Sequence, residues 1–209
     1  MHAGSQEDRP SPSTGSGGDS ADLIAPYPAR RASRRVAASA VAMMLLIVSR
    51  RLHTPRTNVG RVLHFADGTS ARVYRETRIG DGLALEPALL VVGFVLRGVR
   101  GRGHAAFRLE SWLNIPLFVG FPGLRSKLWL AHDSGGRYRG VYEWEGVRLA
   151  ESYVRALGWV LGLVSVPGTV RTHIVPGVHR DDALTRPDQL AGAEGAWWLP
   201  VTVGSTRVR

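Results

Sequence analysis

The sequence predicts an α+β domain over residues 59–180, an antiparallel sheet with two helices on one face. Three observations predict it. The run ALLVVGFVLRGV over residues 88–99 is nearly continuous apolar sequence, short and rich in Val and Leu, as a strand buried on both faces requires. LRSKLWLAHD and RYRGVYEWEG flank the Ser134-Gly135-Gly136 turn as a hairpin. VRLAESYVRALGWVLGLVS then carries Leu149, Tyr153, Ala156, Leu157 and Val160 at helical spacing until Pro167-Gly168 stops it.

In chain order, VGRVLHF and ARVYRET surround Asp67-Gly68, a pair that favours positive φ and so predicts a leading hairpin over 59–77. The buried strand follows. After the Arg100-Gly101-Arg102-Gly103 link, HAAFRLESWLNIPLF reads as a helix whose stripe is Phe107, Leu109, Trp112 and Leu113, ended by Pro116. With Asp133 opposite Arg137, Lys127 falls opposite Glu143 and Arg125 opposite Glu145, as structural cross-strand pairs. That register puts Leu128, Leu130, Tyr138, Tyr142 and Trp144 on one face. TVRTHIVPGVHR, residues 169–180, closes the domain as a strand. From residue 88 the order is β-α-β-β-α-β, the ferredoxin-like split unit, with the hairpin added in front of a four-stranded sheet.

Outside the domain, residues 1–42 read as a disordered or mis-assigned N-terminal extension, 43–58 as a basic and apolar leader, and 181–209 as a polar tail ending in AWWLPVTV. The apolar run from Val36 to Ser49 is too short to span a bilayer. Three readings of it stay open. Met43 or Met44 is the start; residues 36–52 lie on a membrane surface; or the run is a secretory signal, with Arg50, Arg51 and His53 where a cleavage site belongs.

The 209 residues contain no cysteine, which excludes disulfides, thiolate metal sites and a cysteine nucleophile, and fits a cytoplasmic location. The net charge of +10 sits largely in the leader arginines, while the domain mixes both signs. A nucleic-acid-binding patch needs its basic residues clustered on one face, and the mild, mixed charge of the domain argues against nucleic acid as the partner. Lys127 is the only lysine. Gly101-x-Gly103 lacks a full dinucleotide fingerprint, and no Walker, Gly-x-Ser-x-Gly or His-Glu-x-x-His motif occurs.

The run from Gly123 to Leu157 resembles the YdhR-like monooxygenases of the dimeric α/β-barrel superfamily. The resemblance is carried by Gly123, Lys127 and Trp129 on one strand, Gly140-Val141-Tyr142 and Trp144 on the next, and Ala150 and Tyr153 on the helix. The longer leading hairpin, the Asn114-Ile115-Pro116 helix end and the Trp197-Trp198 tail depart from that pattern. The resemblance implies a homodimer whose sheets pack together, with a pocket in each subunit between sheet and helices.

Arg108, Trp112, Asn114, Trp129, Trp144 and Tyr153 are the expected pocket residues, suited to a hydrophobic, phenolic small molecule. Cofactor-independent oxygenation needs a base and a group that stabilises an anion. Tyr142 or His173 is the expected base, and Arg108 and Asn114 are expected to orient the substrate. No cofactor is expected. His104, His132 and His173 match no metal motif, and a haem held by His104 or His173 is the lesser alternative. Two other function classes stay open: a non-catalytic dimerising module filled by its own side chains or by Trp197-Trp198, and a peripheral membrane protein anchored through 36–52.

Overall fold

The structure, a computed structural model, describes residues 24–98, 119–190 and 195–204. It is an α+β fold built on a curled antiparallel sheet. The strands are β1 (Leu52–His53), β2 (Val62–Phe65), β3 (Ser70–Ile79), β4 (Pro87–Val95), β5 (Leu124–Leu130), β6 (Arg137–Glu145), β7 (Arg171–Pro176) and β8 (Pro200–Gly204). The helices are α1 (Ala29–Val48), α2 (Val147–Val164) and the short α3 (Arg180–Thr185). The sheet runs β7-β4-β6-β5-β3-β2-β8, with β1 beside β3. The expected helix over 104–118, with Arg108, Trp112 and Asn114, lies outside the described residues.

β4 is the central constraint. Its pleat sends Ala88, Leu90 and Val92 to one face and Leu89 and Val91 to the other, and all five are fully buried. α2 covers the first face with Ala150, Tyr153, Val154, Leu157 and Leu161. Leu149, expected in that stripe, is partly exposed.

The sheet is wider than the four strands expected. β3 pairs with β5 from Val73 to Arg78, so the leading hairpin is a continuation of the sheet rather than an addition in front of it. Its turn carries Gly68 at φ +77°, and the Asp67 carboxylate accepts from the Thr69 N–H at 3.1 Å.

The expected polar tail covers the second face. Ala183, Leu184, Trp197, Trp198 and Leu199 pack on Leu63, Phe65, Val73, Leu89, Val91, Leu128, Leu130 and Val141, and β8 pairs with β2. Each buried indole removes roughly 200 Å² from water, worth about 5 kcal/mol as an upper figure. The sheet face that a barrel dimer would use is therefore occupied by this chain's own residues.

The leader boundary at residue 42 falls inside α1. The helix lays Ala32, Ser39 and Met43 against the domain, and the Arg35 guanidinium donates to Ser152 Oγ at 2.8 Å. A Cβ at Gly120 would overlap the Ser39 carbonyl, so glycine there permits the approach.

Two buried ion networks pin the tail. At one end Arg180, fully buried, donates to Glu76 at 2.8 Å and to Asp181 at 2.6 Å. Arg78 also binds Glu76 (3.1 Å), and the Asn58 side chain donates to that carboxylate at 3.0 Å. At the other end Arg139 binds Asp133 and Asp67, each at 2.7 Å, and its Nε donates to the Trp197 carbonyl at 3.3 Å. Removing one partner of a buried pair leaves the other charge uncompensated. Glu76→Ala is expected to cost about 3–5 kcal/mol by urea unfolding; a loss under about 1 kcal/mol, the range of exposed pairs, would show the network to be solvated.

Candidate functional site

The β5–β6 register builds the site. Lys127 lies opposite Tyr142, and Trp129 opposite Gly140. This corrects the expected pairing of Lys127 with Glu143. At the turn Asp133 does meet Arg137: its N–H donates to the Arg137 carbonyl at 3.0 Å, and its Oδ1 accepts from the Gly135 and Arg137 N–H groups. By Leu130 the partner is Arg139, so one extra residue has been absorbed between turn and strand. A one-residue slip moves side chains to the opposite face. Lys127 and Trp129 therefore join Tyr142 and Trp144 on the α2 face, while Leu128, Leu130 and Glu143 point to the tail. The Arg125–Glu145 pair forms, with two hydrogen bonds of 2.9 and 2.7 Å.

On the α2 face the aromatic rings are close-packed. Trp144 and Tyr153 are fully buried with centroids 4.8 Å apart; Tyr142 lies 5.5 Å from Tyr153, and Phe121 meets Tyr153 edge-on at 5.2 Å. Tyr153 Oη donates to Tyr142 Oη at 3.3 Å, and Trp129 Nε1 donates to Thr77 Oγ1 at 3.1 Å. The Tyr142 ring folds back across Gly140, where a Cβ would come within 2.7 Å of it. That accounts for the Gly-x-Tyr spacing.

Two cations enter this apolar layer. Lys127 Nζ stands 3.1 Å from the Trp129 ring centroid and 4.6 Å from that of Tyr142. The Arg75 guanidinium lies 5.6 Å from the Trp129 ring. Burial, and secondarily the charge of Arg75, hold the Lys127 amine well below its ordinary 10.5. Burial raises the Tyr142 and Tyr153 hydroxyls above their ordinary value. An amine with a lowered pKa beside a permanently charged guanidinium can accept a proton and hold the resulting anion. A phenol with a raised pKa is poorly suited to act as a base.

The expected site residues do not all converge. Trp129, Tyr142, Trp144 and Tyr153 meet. His173 does not: it pairs with Val91 in register, and its ring stacks on Trp198 at 3.9 Å on the tail side. Tyr142 and His173 therefore cannot serve one site. Arg108, Trp112 and Asn114 lie outside the described residues. Sequence reasoning missed Arg75 and the placing of Lys127 among these rings; the signals at Lys127 were its being the only lysine and its spacing from Trp129. Among the described residues no group of His, Asp and Glu could hold a metal ion. A separate cleft of about 250 Å³ at the tail side is lined by His53, Arg78, Asp81, Arg125, Glu143 and Asp181, among others. Its arginines are bound to carboxylates.

The lowered lysine pKa has a consequence for stability. Between the folded-state value and 10.5 the unfolded chain binds the extra proton, so stability rises with pH through that window. Lys127→Met removes this dependence. The variant is expected to gain stability relative to the parent below the window, with the difference changing in the parent's favour as pH approaches 10.5. Unfolding curves that stay parallel across this range would show that the amine is solvated in the folded protein.

No family model and no curated protein matches the chain. Among solved structures it is similar to an uncharacterized ferredoxin-fold protein related to antibiotic biosynthesis monooxygenases from Listeria monocytogenes, with TM-score 0.38 and 14% identity over 54% of this chain and 66% of that one. A monooxygenase-like protein from Listeria innocua gives TM-score 0.37 and 14% identity over the same shares. An anthrone oxidase-like protein gives 0.33 and 13%, over 54% and 58%. The chain spans less than two thirds of the length of each of these structures.

Proposed function

We propose that this chain is a small-molecule-binding, monooxygenase-like protein of the YdhR-like kind that takes a hydrophobic phenolic molecule on the α2 face of its sheet. The observation that carries the reading is the Lys127 amine held against the Trp129 and Tyr142 rings beside Arg75. The strand order β7-β4-β6-β5 supports it, being the order a ferredoxin-like β-α-β-β-α-β unit generates. Arg108, Trp112 and Asn114 complete the pocket in this proposal, and its homodimer forms through a surface other than the tail-covered sheet face.

In the proposed reaction the neutral Lys127 amine takes the phenolic proton, and Arg75 holds the phenolate. The electron-rich anion then reduces dioxygen. One oxygen atom replaces the single hydrogen of the activated ring carbon and becomes a carbonyl, the phenolic oxygen becoming the second carbonyl. The other oxygen atom takes up that hydrogen together with the phenolic proton, returned by Lys127, and leaves as water. The substrate supplies all four electrons, so no cofactor takes part.

The second reading is a non-catalytic module whose interior is filled by its own side chains. The full burial and mutual contact of Trp144 and Tyr153 favour it.

Tryptophan fluorescence and oxygen uptake with anthrone, naphthols and quinols separate the two. The proposed reading expects quenching, together with oxygen consumption that Lys127→Met lowers roughly 10²- to 10⁴-fold while quenching persists. Tyr142→Phe is expected to change turnover only several-fold. Neither quenching nor uptake with any of these molecules would leave the filled module as the function.

A further inference from the structure

We propose that α1 is a docking face for an anionic membrane surface. The inference rests on the outer side of this helix and is independent of the site on the α2 face. The inner side of α1 carries Ala32, Val36, Ser39, Met43 and Leu46 toward the domain. The opposite side runs Arg30, Arg34, Ala37, Ala38, Val41, Leu45 and Val48 along one stripe, all exposed. Val41, Leu45 and Val48 are 64%, 65% and 77% exposed, and Met44 beside them is 57% exposed. Large aliphatic side chains left in water over two consecutive turns form a contiguous patch, unlike singly scattered surface leucines.

Charge frames that patch. Arg30, Arg31, Arg34 and Arg35 precede it, and Arg50, Arg51 and Arg56 follow it. No aspartate or glutamate occurs between Asp22 and Asp67. An aliphatic centre with a cationic rim and no acid complements an interface of anionic headgroups over acyl chains. A nucleic acid would satisfy the arginines but would offer nothing to the aliphatic centre. α1 cannot span the bilayer: no described helix is long and apolar enough to cross a membrane. The mode is therefore a helix lying in the interface plane, with the domain behind it.

The test is co-sedimentation of the full chain with phosphatidylcholine vesicles, with and without phosphatidylglycerol. Binding is expected only with the anionic lipid. Leu45→Glu is expected to weaken it roughly tenfold or more, and Arg34→Gln with Arg50→Gln by a similar factor. Circular dichroism should be unchanged in these variants, since all three side chains face solvent. Four results would overturn the proposal. These are no vesicle binding at low salt; binding insensitive to Leu45→Glu; equally tight, Leu45→Glu-insensitive binding to duplex DNA; and self-association without vesicles that Leu45→Glu abolishes. The last would assign the face to a second copy of this chain.

Discussion

Everything in this fold follows from a sheet that is apolar on both faces. β4 has no polar side chain from Ala88 to Val92, so each face of the central strand must be covered. One cover is amphipathic helix, as in most α+β folds. The other is assembled from the chain's last described stretch, a short helix, two tryptophans and an edge strand. A sheet face left bare would expose several leucines and valines at about 25 cal/mol per Å². The C-terminal segment removes that exposure within the single chain.

The two covers are fastened differently. α2 holds on the sheet by apolar packing with a hydrogen bond from Tyr153 to Tyr142. From Thr185 to Leu190 the tail has no buried residue, and charge fixes it on either side: Arg180 on the Glu76 carboxylate and Arg139 on the Trp197 carbonyl. Buried ion pairs add little net stability compared with apolar packing, but their geometry is exacting. They define where the tail lies more than how strongly it is held.

This distinction bears on what was legible in the sequence. β4, α2 and the Asp67-Gly68 turn announce themselves through local periodicity and turn chemistry. The face assignment of β5 failed because Asp133 spends its carboxylate on the turn and on Arg139, shifting the strand by one residue. No alternation pattern carries that information, since Lys127 and Leu128 are both buried and either could have faced α2. The tail was read as polar because its apolar content is concentrated in Ala196 to Leu199. Two of the partners of Arg180, Glu143 and Glu76, lie 37 and 104 residues away. Of the candidate site, Trp129, Tyr142, Trp144 and Tyr153 were recognisable as aromatics around a Gly-x-Tyr strand. Arg75 was not, because it reaches the site only through the β3–β5 pairing.

The cations on the two faces of the sheet have different surroundings. Toward the tail, Arg139 and Arg180 each meet carboxylates at 2.8 Å or less. Toward α2, Lys127 rests on π faces, whose attraction for a desolvated ammonium is about 2 kcal/mol. Desolvating the ammonium costs several kcal/mol, so the balance shifts toward the neutral amine. The chain's single lysine, held against these rings beside Arg75, is the position on which the proposed reaction rests.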